Sequence, residues 1–67
     1  MNDRKVKLTD VAIIDFEAIL FEQNGSEPFF KSGVTEESTR LNLYYDSGNR
    51  HFGTYNRDTC TAWHFAN

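Results

Sequence analysis

The stretch DVAIIDFEAILFEQN, residues 10–24, decides the fold. It satisfies two periods at once. At helical spacing Val11, Ile14, Ala18 and Phe21 share one face, with Ile13, Phe16 and Leu20 beside them. At period two, Ala12, Ile14, Phe16, Ala18 and Leu20 are all apolar, with Asp15 and Glu17 opposite. The flanks arbitrate. Thr9-Asp10 offers side chains that cap exposed backbone N–H groups, and Asn24-Gly25 tolerates the left-handed conformation that closes helices. Length agrees, because a strand of about twelve residues is long for a small domain. The segment is read as a helix over 10–24. A strand over 11–22, giving an all-β fold, is the alternative.

On the C-terminal side, residues 39–67 read as an antiparallel meander of three strands. Leu41, Leu43 and Tyr45 alternate with Arg40, Asn42 and Tyr44. Asp46-Ser47-Gly48-Asn49 is a turn signal, followed by a run from Arg50 to Tyr55. After Asn56-Arg57-Asp58, the run from Thr59 to Phe65 puts Thr61, Trp63 and Phe65 on one face and Cys60, Ala62 and His64 on the other. Gly53 marks a bulge or the close approach of a ring. Residues 25–38, punctuated by Gly25, Pro28 and Gly33, read as a loop around a Phe29-Phe30 anchor, with a helical turn opening at Thr35. Residues 1–8 read as an arm or edge strand. The expected fold is a single α+β domain over 1–67, one N-terminal helix packed on a small, three-stranded sheet.

Sixty-seven residues bound the function. A chain of this size buries only about 60% of its unfolded surface, so its core is thin and a second copy would stabilise it. Ten aromatic residues, 15% of the chain, nevertheless provide enough ring area to fold. The single cysteine, Cys60, excludes an intramolecular disulfide and favours a reducing, cytoplasmic setting. No apolar run approaches the roughly 20 residues of a membrane span, and the first one is broken by Asp15 and Glu17, unlike a leader core.

The candidate chemistry is sparse. Cys60 and His64 would meet one metal on a helix, but on a strand residues four apart sit about 13 Å from each other, too far for shared ligation. His51 and Asp58 add no recognisable set, and no glycine pattern cradles a phosphate. No metal, no cofactor and no catalysis are expected.

Charge is more informative. From Asp10 to Glu37 seven acids face one base, Lys31, while the flanks carry six bases and three acids. A surface of one sign steers a protein onto a partner of the other. The expected function is therefore a small acidic protein that inhibits or modulates a larger, basic nucleic-acid-handling protein by occupying its groove. Short decoys of this kind suit viral or mobile-element accessory proteins. The expected contact residues are Asp15, Glu17, Glu22, Glu27, Glu36 and Glu37, with Phe29 and Phe30 adding apolar grip. The alternative is a single-strand nucleic-acid binder using Tyr44, Arg50, Tyr55, Arg57 and Trp63, since rings stack bases and cations meet phosphates. A structural homodimer is the second alternative.

Overall fold

The computed structural model describes residues 4–34 and 39–66. The elements run β1 (Arg4–Leu8), α1 (Ile13–Asn24), β2 (Phe29–Val34), β3 (Arg40–Tyr45), β4 (His51–Asn56) and β5 (Thr61–Ala66). All five strands form one antiparallel sheet in the order β1-β5-β4-β3-β2. The chain leaves β1 at one edge and enters β2 at the other, so α1 spans the sheet between them.

This architecture corrects the expected fold class. The domain is mostly β, with five strands where a three-stranded sheet was expected. It is not the all-β alternative either, because 13–24 is helical. The first additional strand is β2, in a region expected to be a loop. Gly33 pairs with Leu41, with open space where its side chain would be, so it leaves a gap in an edge strand and makes no turn. Pro28 stops just short of the ladder, where a missing N–H costs nothing. The second is β1, which pairs with the last strand, Lys5 opposite Phe65 and Lys7 opposite Trp63.

The helix also starts later than Asp10. Asp10 lies in the left-handed region at φ 51°, and the Val11 N–H donates to the Cys60 carbonyl at 3.0 Å. The Tyr55 hydroxyl donates to the Val11 carbonyl at 2.7 Å. With Asp10 left-handed and Val11 tied to Cys60 and Tyr55, Ala12 becomes the N-cap, without a side-chain cap. At the other end Gly25, at φ 80°, donates its N–H to the Phe21 carbonyl at 2.9 Å. The Asn24 carboxamide oxygen accepts from both the backbone N–H and hydroxyl of Ser47, fixing the helix end to the β3–β4 turn.

Phe16 and Leu20, one turn apart on α1, are completely buried. They settle over Gly53, where an added Cβ would stand 3.2 Å from Leu20 Cδ1 and 3.3 Å from Phe16 Cζ. A bulge beside it opposes Tyr44 to Gly53 and Tyr45 to His51, leaving Phe52 as the extra residue. Phe52 joins Phe16, Leu20, Tyr44, Tyr55 and Ala62 in the core.

Strand parity then sorts the two faces. Beneath α1 lie Ala62 and His64 of β5, Gly53 and Tyr55 of β4, and Asn42 and Tyr44 of β3. The opposite face carries Lys5, Lys7, Trp63, Phe65, Thr54, Leu41, Leu43, Tyr45, Phe29 and Lys31. Among the described residues no element covers it.

Candidate functional site

A groove of about 760 Å³ runs between α1 and the β2 edge. Ile14, Phe21 and Phe30 form its apolar walls and are 72%, 52% and 54% exposed. Glu17, Glu22 and Glu27 also line it, and no base does. Glu17 is held in place from below. The Tyr44 hydroxyl donates to Glu17 Oε2 at 2.7 Å, the Asn42 amide donates to the Tyr44 oxygen at 3.2 Å, and Ser32 Oγ donates to Asn42 Oδ1 at 3.3 Å. Burial pushes the Tyr44 phenol far above its ordinary pKa, so it remains a donor at any physiological pH. Phe30 stacks on the Tyr44 ring with centroids 5.7 Å apart, which fixes the opposite wall.

On the open face a row of rings crosses the sheet. Tyr45 and His51 have centroids 5.5 Å apart, His51 and Trp63 5.3 Å, and Trp63 and Phe65 5.1 Å. Lys5 Nζ lies 4.5 Å from the Trp63 ring centroid and Lys31 Nζ 5.6 Å from that of Tyr45. His51 Nε2 shares a hydrogen bond of 2.8 Å with Thr54 Oγ1.

The expected contact residues divide between these places. Glu17, Glu22, Glu27 and Phe30 come together in the groove. Asp15 is exposed on the first turn of α1, outside the groove lining. Phe29 is exposed on the other side of β2. Glu36 and Glu37 lie outside the described residues. The alternative set does not form one surface. Tyr44 and Tyr55 are buried beneath α1 and present no ring to a base. Arg50 pairs with Asp46 at 3.6 Å in the β3–β4 turn, and Arg57 sits exposed in the β4–β5 turn. Of that set Trp63 alone belongs to the open face. The three lysines beside it become visible only once β1 and β2 are placed in the sheet.

His64, beneath the helix, faces Gln23, with Nδ1 3.0 Å from Gln23 Oε1. Since that oxygen only accepts, Nδ1 carries the proton in the neutral ring. The Gln23 amide nitrogen donates to the Phe65 carbonyl. Burial holds the imidazole pKa below its ordinary value. Cys60 is exposed, at φ 56° in the turn before β5. Among the described residues no three His, Cys, Asp or Glu side chains gather in a metal-binding set, and no helix is long and apolar enough to cross a membrane. Comparison of the chain with protein-family models, curated proteins and solved structures finds no match.

Proposed function

We propose that this protein is a non-catalytic docking module of the cytoplasm that inhibits or modulates a larger, basic nucleic-acid-handling protein, and that the groove between α1 and β2 is its contact surface. The observation that carries the reading is the convergence of Glu17, Glu22 and Glu27 with Ile14, Phe21 and Phe30 on one groove that no base lines. Such a lining fits a partner segment that pairs Lys or Arg with an apolar anchor. The carboxylates steer and orient that segment, while the buried apolar area supplies grip. A partner so engaged presents its cations to carboxylates and loses them for phosphates, which is inhibition by occupancy. The β2 edge adjoins the groove with all of its residues exposed, so an extended partner segment has an unpaired backbone row alongside.

The test is a tagged pull-down from a nuclease-treated lysate, comparing the wild type with the double variant Glu22→Lys, Glu27→Lys. Both residues are exposed, so folding should survive. Glu17 is left intact because it also anchors Tyr44. A stoichiometric protein that is released by salt from the wild type and missing from the variant is the expected result. Identical partners on both baits would sink the proposal.

A further inference from the structure

We propose that the open face of the sheet binds single-stranded nucleic acid, with bases stacking on Trp63, Tyr45 and His51 while Lys5, Lys7 and Lys31 meet the phosphates. This goes beyond the groove reading and does not rest on it, because the two surfaces lie on opposite sides of the sheet and share no residue. Three observations carry the inference. The first is the row of rings itself: Tyr45, His51, Trp63 and Phe65 pack in sequence at 5.1 to 5.5 Å, tilted or edge-to-face, on a side of the sheet that no described element covers, and bases stack on aromatic side chains of this kind. The second is the placement of the cations. Lys5 stands over Trp63 and Lys31 over Tyr45, so a base that displaces either ammonium from its ring leaves it beside the adjoining phosphate.

The third observation is charge. In a chain of net charge −3, the strand positions of this face hold three lysines and no acid. That decides between occupants. A second copy packed face to face would set three lysines against three, and a basic protein segment would meet the same repulsion. A polyanion with flat apolar faces suits the surface on both counts. Two hydroxyls of the face are paired within the chain, Thr54 to His51 and Thr61 to Thr59.

Trp63 is the single tryptophan of the chain, so its fluorescence reports on this face without a label. Titration with oligo(dT) of about eight nucleotides at low salt should quench it saturably. Duplex DNA of the same length should bind at least tenfold more weakly. Three phosphate contacts predict that log K falls with log salt at a slope of roughly −2. The double variant Lys5→Ala, Lys31→Ala, whose lysines are both exposed, should fold normally, bind at least tenfold more weakly and show a flatter slope. Glu22→Lys with Glu27→Lys should leave the quenching intact, which separates this test from failure of the groove reading. Absence of quenching at low salt would overturn the proposal, as would equal binding by the lysine variant. Protein-concentration-dependent dimerisation that abolishes the quenching would overturn it in favour of a second copy.

Discussion

The two faces of this sheet contain similar amounts of ring and opposite solutions for it. Beneath α1 each ring has a fixed neighbour. Phe16 meets Tyr44 edge-on at 5.6 Å and Tyr55 at 5.9 Å, and both tyrosine hydroxyls have acceptors. Among the described residues no buried side-chain polar atom lacks a partner. On the far side Trp63, Phe65, Tyr45 and His51 form a row of contacting rings, two of them under lysine ammonium groups, with no described element packed over them. One face is finished by the chain itself, and the other is left with half-buried rings among exposed lysines. A small protein with a thin core gains little by leaving rings uncovered unless something else uses them. The contrast teaches that aromatic content in so short a chain divides between a covered core and an open face. Strand parity marks the division.

The largest effect that could break the comparison is truncation on either side. Phe16→Ala should cost about 3–5 kcal/mol by urea unfolding, enough to leave little native protein. Trp63→Ala should cost about 1 kcal/mol, because its ring rests on the outside of the sheet. If Trp63→Ala proves the costlier of the two, the open face is a second core and the contrast fails. Next comes Gly53→Ala, which pushes a methyl against Leu20 and Phe16. Its predicted cost is about 1–3 kcal/mol, and a neutral result would show that α1 can lift off β4 at little cost. Tyr55→Phe deletes the bond to the Val11 carbonyl and should cost about 1 kcal/mol, with faster amide exchange near the start of α1 as its signature.

The smaller effects concern pH. His64 binds its proton less readily when folded than when unfolded, where its pKa is near 6.5. Below that pH the unfolded chain therefore holds more protons, so stability is complete above it and declines as pH falls. Thermal melts between pH 7 and 5 should show this decline, and an NMR titration should place the His64 midpoint below the ordinary value. A midpoint at or above that value would contradict the burial argument. Smallest is Asp58, held below its ordinary pKa by hydrogen bonds from the Arg40 backbone and guanidinium. Its contribution should vanish only below about pH 4, and Asp58→Asn should alter the melt at neutral pH by the least of all.

Part of this contrast was legible in the sequence. The alternation of residues 40–45 and 61–65 describes strands whichever face is covered, and Thr61, Trp63 and Phe65 do share a side. Which side α1 covers was not legible, because β3 inverts the usual rule. Asn42 and Tyr44 lie under the helix, while Leu41 and Leu43 face outward. Asn42 is acceptable there because Tyr44 and Ser32 complete its hydrogen bonds, a long-range arrangement invisible to a local pattern. β2 was hidden by Pro28 and Gly33, residues that break central strands but are tolerated at an edge. Gathering Glu17, Glu22 and Glu27 into one groove required knowing that the chain returns along β2 after Gly25. Asp15, on the same helix, stays outside the groove that takes Glu22.

The strand order also sets a timetable. The pairings β2–β3, β3–β4 and β4–β5 join strands adjacent in the chain and close as hairpins. β1–β5 joins Arg4 to Ala66 and Leu8 to Ala62, more than fifty residues apart. Such a seam carries the greatest loop-closure entropy and forms late. During synthesis the Phe16–Leu20 stripe leaves the ribosome well before β4, the strand that receives it. A nascent chain therefore carries an unsheltered apolar helix until β4 has been made. The same seam should be the first to part in the finished protein, with amides of β1 exchanging before those of β4.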